Sequence, residues 1–154
     1  MRTIDRITIC APIDSVFAVA RDVERWPDIL PHYRWVRMLE RQPDGGTVEM
    51  AAWRPFGPPP LRYPTWWISE MRVSQRDRII RYRHVAGITA GMDVRWSLRD
   101  TAAGVVVEIL HEWAGPAWPL VGRWTANAVI GPVFVRGIAS RTLAGIRRRA
   151  EEAA

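Results

Sequence analysis

Residues 2 to 10 place Ile4, Arg6, Thr8 and Cys10 on one side of an extended chain and Thr3, Asp5, Ile7 and Ile9 on the other, in a stretch rich in β-branched side chains. A period of two with that composition predicts a strand. Ala11-Pro12 ends it, and Pro12 to Asp22 predicts a helix: Pro12 and Asp14 suit a first turn, and Val16, Phe17 and Ala20 form its apolar stripe. Asp22 to Pro31, bounded by prolines, predicts a second short helical segment. Six candidate strands follow at 33–41, 46–53, 62–75, 78–86, 91–99 and 104–113, with turns at Asp44-Gly45-Gly46, Gln75 to Asp77, Gly87 to Gly91 and Asp100 to Gly104. From Gly122 the spacing becomes helical, is interrupted at Gly131-Pro132, and continues through Phe134, Ile138, Leu143 and Ile146 to Arg149.

This order predicts an α+β fold in one domain, residues 1–154: a seven-stranded curved antiparallel sheet around a long C-terminal helix, with two short helices after strand 1. A curved sheet that holds a helix without collapsing fully onto it leaves an apolar cavity, the usual seat of a small ligand. Alternation assigns the inward side chains. They are Trp67, Ser69, Met71 and Val73 on the long strand, Ile80, Tyr82 and His84 on the next, then Met92, Val94, Trp96 and Leu98, and finally Val105, Val107, Ile109, His111 and Trp113.

Composition narrows the chemistry. All 22 basic residues are Arg, so a lysine Schiff base or lysine general base is excluded. The net charge of +6 is spread from Arg2 to Arg149 with no recognised nucleic-acid motif, so no nucleic-acid partner is expected. A single cysteine, Cys10, excludes an intrachain disulfide and a cysteine zinc cluster, and fits a reducing compartment. With no signal-peptide pattern and no membrane-length apolar run, a cytoplasmic location is expected. His32, His84 and His111 lack metal-ligand spacing, so neither a metal nor another cofactor is expected.

Six of the nine Trp residues flank two Pro-rich connections: Trp53, Trp66 and Trp67 around Pro55 to Pro60, and Trp113, Trp118 and Trp124 around Pro116 and Pro119. Packing, the framing of a cavity mouth, and a membrane-facing patch in which Arg54, Arg62 and Arg123 accompany the rings are three readings of that clustering.

Ala11-Pro12-Ile13, the run Asp22-Val23-Glu24-Arg25-Trp26-Pro27 leading into Pro31-His32-Tyr33, and the closing Ile138 to Leu143 together resemble the polyketide cyclase/dehydrase and lipid-transport proteins of the START/Bet v 1-like superfamily. The resemblance spans nearly the whole chain and implies the helix-grip fold. In the aromatase/cyclase members it implies a role for a Tyr after the Trp-Pro helix, which Tyr33 matches, and for a strand Arg four residues beyond a strand Trp. Trp67 matches that Trp, but Met71 stands where the Arg is expected, and Arg72 points to the opposite face.

The candidate ligand-binding residues are Tyr33, Trp67, Met71, Tyr82, His84, Trp96, His111 and Trp113, and the catalytic candidates among them are Tyr33, His84 and His111. The expected partner is a hydrophobic, aromatic or polyketide-like small molecule. Simple binding, aromatase/cyclase turnover and a quinone or lipid carrier with peripheral membrane contact are the three functions weighed, and homodimer formation is left open.

Overall fold

The β-branched and aromatic runs pair into one sheet. In a computed structural model that describes residues 1–55, 62–115 and 136–154, β1 (Arg2–Ile9) is followed by α1 (Ile13–Arg21), a 3-10 turn (Val23–Arg25) and α2 (Trp26–Ile29). The strands β2 (Tyr33–Gln42), β3 (Gly45–Pro55), β4 (Arg62–Ser74), β5 (Ile79–Gly87), β6 (Asp93–Thr101) and β7 (Gly104–Glu112) come next, and α3 (Arg136–Glu152) closes the chain. The sheet order is β1-β7-β6-β5-β4-β3-β2, with every neighbouring pair antiparallel. This is the predicted α+β helix-grip architecture. The part of the predicted last helix before Arg136, with Trp118, Arg123 and Trp124, lies outside the described residues.

Helical spacing decides what α3 covers. Ile138, Ala139, Thr142, Leu143, Ile146 and Ala150 are all buried, and α3 packs against β1, β3, α1 and α2. A helix that touches strands near both edges of one sheet requires the sheet to curl around it. The helix runs to Glu152, three residues beyond the predicted end at Arg149. Glu151 there accepts a hydrogen bond from the Cys10 backbone N–H at 3.0 Å, which ties the last turn to the end of β1. On the other side Trp26, 2% exposed, lies between Tyr33 and Trp96, with ring centroids 5.2 and 5.6 Å away. Its indole N–H donates to the Val19 carbonyl at 3.3 Å. Fully burying side chains such as Phe17, Ile80 and Ile146 stabilises the fold by about 1.5–3 kcal/mol each relative to exposure.

The β2–β3 connection differs from expectation. The turn is Pro43-Asp44, while Gly45 and Gly46 already belong to β3 with φ of 142° and 140°. Both lie in an extended region with positive φ that side chains rarely adopt. A Cβ on Gly45 would sit 2.0 Å from the Met71 carbonyl oxygen, and one on Gly46 equally close to that of Glu40. Glycine lets β2, β3 and β4 approach where the sheet bends, beside the register shift between Met38 and Glu40. Gly45→Ala is therefore expected to destabilise the protein by about 3 kcal/mol, since strain and backbone overlap act together. Urea denaturation checks this, and an unchanged midpoint would contradict it.

Candidate functional site

Between α3 and the concave face of the sheet lies a cavity of about 70 Å³. Its wall is built by alternation: Met50 and Arg54 come from β3, Trp67 from β4, Tyr82 and His84 from β5, Val94 and Trp96 from β6, and Ile109 and His111 from β7. Trp26 and Tyr33 enter from the α2–β2 junction, Thr89 and Met92 from the β5–β6 connection, and Ile138, Ala139 and Thr142 from α3. The space suits a few waters, whereas an apolar cavity of about 150 Å³ takes a benzene ring. Met50 and Met92 are its unbranched, adaptable wall residues.

The polar groups are few and largely held. The Tyr33 hydroxyl is hydrogen-bonded to the Thr142 side chain, and Thr142 Oγ1 also pairs with His32 Nε2 at 3.0 Å. Burial pushes the Tyr33 phenol up to about 12, opposed by the Thr142 hydrogen bond and the Arg54 charge. Tyr82 rises well above the ordinary tyrosine value, first through burial and then through proximity to Tyr33. Its hydroxyl is buried without a hydrogen-bond partner among the described residues. Both phenols therefore stay protonated at neutral pH and are potential donors.

His84 lies against Trp67 with ring centroids 5.9 Å apart and an 18° angle between planes. Its Nδ1 is held 2.6 Å from Thr89 Oγ1. Thr89 is reached because the connection after β5 folds inward: Gly91 donates to the His84 carbonyl at 2.8 Å, His84 donates to the Met92 carbonyl at 2.9 Å, and the Trp113 indole N–H donates to the Ala90 carbonyl at 2.9 Å. His111 Nδ1 lies 3.5 Å from Thr3 Oγ1. Burial lowers His84 to about 3, helped by His111 and Arg54, and lowers His111 to about 4, helped by Arg54. Both imidazoles are neutral at neutral pH.

Arg54 supplies the charge. It is only 4% exposed, its Nε donates to Thr65 Oγ1 at 3.0 Å, and its guanidinium carbon stands 5.8 Å from the Trp67 ring centroid. Thr65 in turn donates to the Ala52 carbonyl at 3.2 Å. Burial lowers Arg54 to about 10, partly countered by Tyr33, so it remains a cation at neutral pH. A buried guanidinium over an indole retains much of its cation–π attraction.

Arg54 corrects one expectation and extends the candidate set. Buried as it is, it does not belong to a membrane-facing patch, and it joins the cavity wall although it is absent from the ligand-binding candidates. Met71, where the resemblance implies an Arg, is buried beside the next strand and outside the cavity wall, and Arg72 is exposed on the outer face. The cation comes instead from β3, the strand paired with Trp67 through Met50. Strand alternation carried through Val48, Met50 and Ala52 reaches Arg54, but the predicted strand stops at Trp53. Of the ligand-binding candidates, Tyr33, Trp67, Tyr82, His84, Trp96 and His111 share the cavity wall, whereas Met71 and Trp113 are buried outside it.

Residues 9–134 match the model of the family described as polyketide cyclase/dehydrase and lipid transport. The chain belongs to that family. A Streptomyces halstedii protein named as a candidate polyketide cyclase is 30% identical over 107 residues, covering 68% of this chain and 94% of that one. A similarly named Streptomyces cyaneus protein is 27% identical over 114 residues, covering 73% and 72%. Among solved structures, the Zhui aromatase/cyclase from Streptomyces sp. R1128 superposes with a TM-score of 0.82 at 21% identity over 99% of this chain and 94% of its own. That level of identity establishes the shared fold. Within this polyketide cyclase/dehydrase family member, no helix among the described residues is long and apolar enough to cross a membrane.

The buried imidazoles set a pH dependence. His32 is also lowered to about 4, by burial and then Arg141, so all three histidines titrate lower when folded than at the ordinary value near 6.5. Between those values the unfolded chain binds more protons. Stability is thus full above about pH 6.5 and falls as pH drops towards 4 and 3. Going from pH 7.5 to pH 5 should cost up to roughly 2 kcal/mol per imidazole. Denaturant midpoints at the two pH values check this, with a smaller drop expected in His111→Gln; equal midpoints would contradict it.

Proposed function

We propose that this protein is an aromatase/cyclase that folds a poly-β-ketone and closes a ring within it. The observation that carries this reading is the buried Arg54 guanidinium, set over Trp67 and beside Tyr33 in an otherwise neutral wall. A poly-β-ketone alternates carbonyls with acidic methylenes. A water molecule takes a methylene proton to leave an enolate, whose carbon attacks a carbonyl further along the chain; the new alkoxide takes a proton back from water, and the alcohol is then eliminated as water when a second proton leaves the adjacent methylene. Negative charge on oxygen develops at both carbon stages, and a preorganised cation in a water-poor site stabilises it. The family match and the polyketide cyclase names of the Streptomyces relatives support the same substrate class.

The remaining groups have roles consistent with their protonation. Tyr33 and Tyr82 donate to ketone oxygens and fix which carbonyl lies near Arg54. Trp67 and Trp96 offer flat surfaces to a ring as it becomes planar. His84 and His111 are weak bases here, so they hydrogen-bond and orient the ketone instead of carrying charge, and Arg54 bears most of the electrostatic load. Substrate entry widens the small cavity by moving Met50 and Met92.

Incubation with a poly-β-ketone generated in situ, with products separated by liquid chromatography and mass spectrometry, tests the proposal. Wild-type protein should redirect spontaneous products to one first-ring regiochemistry, and Arg54→Gln should reduce that product about 100-fold. Tyr33→Phe should cost about tenfold, the order of one lost hydrogen bond. The rate should show no inflection near pH 6.5. Identical product mixtures with and without wild-type protein would refute the reading, and tight binding of a ketone analogue without turnover would assign a carrier role instead.

A further inference from the structure

The register of the outer sheet face puts three arginines side by side. Arg72 on β4 lies opposite Arg81 on β5, and Arg81 lies opposite Arg95 on β6. All three are exposed. Adjacent strands are about 4.8 Å apart, so the row spans about 10 Å. Like charges directly opposite one another across a ladder destabilise a sheet.

The next row along the strands is arranged differently. Glu70 faces Arg83, Arg83 faces Asp93, Asp93 faces Glu112 and Glu112 faces Arg2. Arg83 is ion-paired with Asp93, and Arg2 with Glu112 at 3.5 Å. By contrast, Arg72, Arg81 and Arg95 form no ion pair with a carboxylate among the described residues. The three arginines line a surface groove of about 390 Å³ into which Arg83 and the carboxylates Glu70, Asp93 and Glu112 also project. Arg72 and Arg81 also line a neighbouring groove of about 510 Å³ that reaches Gln42, Asp44 and Ser74. Asp93 and Glu112 are already paired with Arg83 and Arg2, so in the first groove the three arginines face Glu70 alone and positive charge is in excess beside the concavity.

We propose that this row is a binding site for an anion carrying two or three linked phosphates. Guanidinium groups pair with phosphate oxygens in a planar, two-pronged geometry that lysine does not reproduce. Three flexible guanidinium side chains rooted in one row can converge on a chain of linked phosphates, while a single carboxylate would leave most of the row unneutralised. The site is on the opposite face of the sheet from the cavity and does not depend on the proposed cyclase activity. A bound phosphate chain would cancel the cross-strand repulsion, which links occupancy to the stability of the β4–β5–β6 region.

Thermal unfolding at constant ionic strength tests the site with sodium tripolyphosphate, chloride as control, and ATP and phosphatidylglycerol vesicles as arms that separate soluble phosphates from a lipid surface. At 1 mM, tripolyphosphate should raise the Tm of the wild-type protein by about 3 °C over chloride. Arg81→Gln should raise the Tm without added phosphate, because repulsion is relieved, and should remove the tripolyphosphate increment. Arg95→Gln should act in the same direction and gives an independent reading. Stabilisation by tripolyphosphate or ATP supports the site. No phosphate-specific increment, an increment that survives both substitutions, or a response confined to vesicles would overturn it.

Discussion

A buried positive charge is the constraint around which the concave side of this molecule is organised. Holding Arg54 away from water costs solvation that its neighbours must offset. The Trp67 ring, the Thr65 hydroxyl and the nearby phenol of Tyr33 supply that compensation. Burial lowers both cavity histidines, and the Arg54 charge adds to it, so they stay uncharged at neutral pH. Burial and the buried cation thus act on the imidazoles in the same direction, and the wall acts as a coupled electrostatic unit.

The fold makes that placement possible because curvature separates the sheet from α3 over a limited length. At the β1 end, α3 is tied closely through Glu151 and Cys10. Nearer its start, Ile138, Ala139 and Thr142 face the cavity. Thr142 joins His32 and Tyr33 in one hydrogen-bonded group, so the position of the last helix is communicated to the phenol through a side chain and not through packing alone. In the proposed cyclase, a small displacement of α3 would alter both the room available and the direction of a donor.

Much of this was legible in the sequence, for identifiable reasons. Strand boundaries followed from alternation and from glycine and aspartate turns, and the inward faces of β4 to β7 followed from a period of two. The helical start at Pro12 and the buried stripe of Val16, Phe17 and Ala20 followed from spacing. Arg54 escaped because it sits among Trp, Arg and Pro residues that look like surface loop, although it continues the inward side of β3. The Arg72–Arg81–Arg95 row escaped for another reason: facing outward is readable from one strand, but adjacency needs the register between three. The Gly45-Gly46 pair reads as a turn in the sequence because glycine signals chain reversal, whereas in the structure it permits backbone crowding within a strand.

The inward fold of residues 88–92 carries one more consequence. Thr89 holds His84, Ala90 is held by the Trp113 indole, and Met92 forms part of the wall. A hairpin connection of this kind would usually tolerate changes in length, since loops are where insertions do least harm. Here a single added residue would rotate an imidazole, release an indole and reshape the cavity together. The connection is consequently a keystone: its length is part of the site's chemistry, and diversification of this scaffold would be freer at the outer strand faces than at this hairpin.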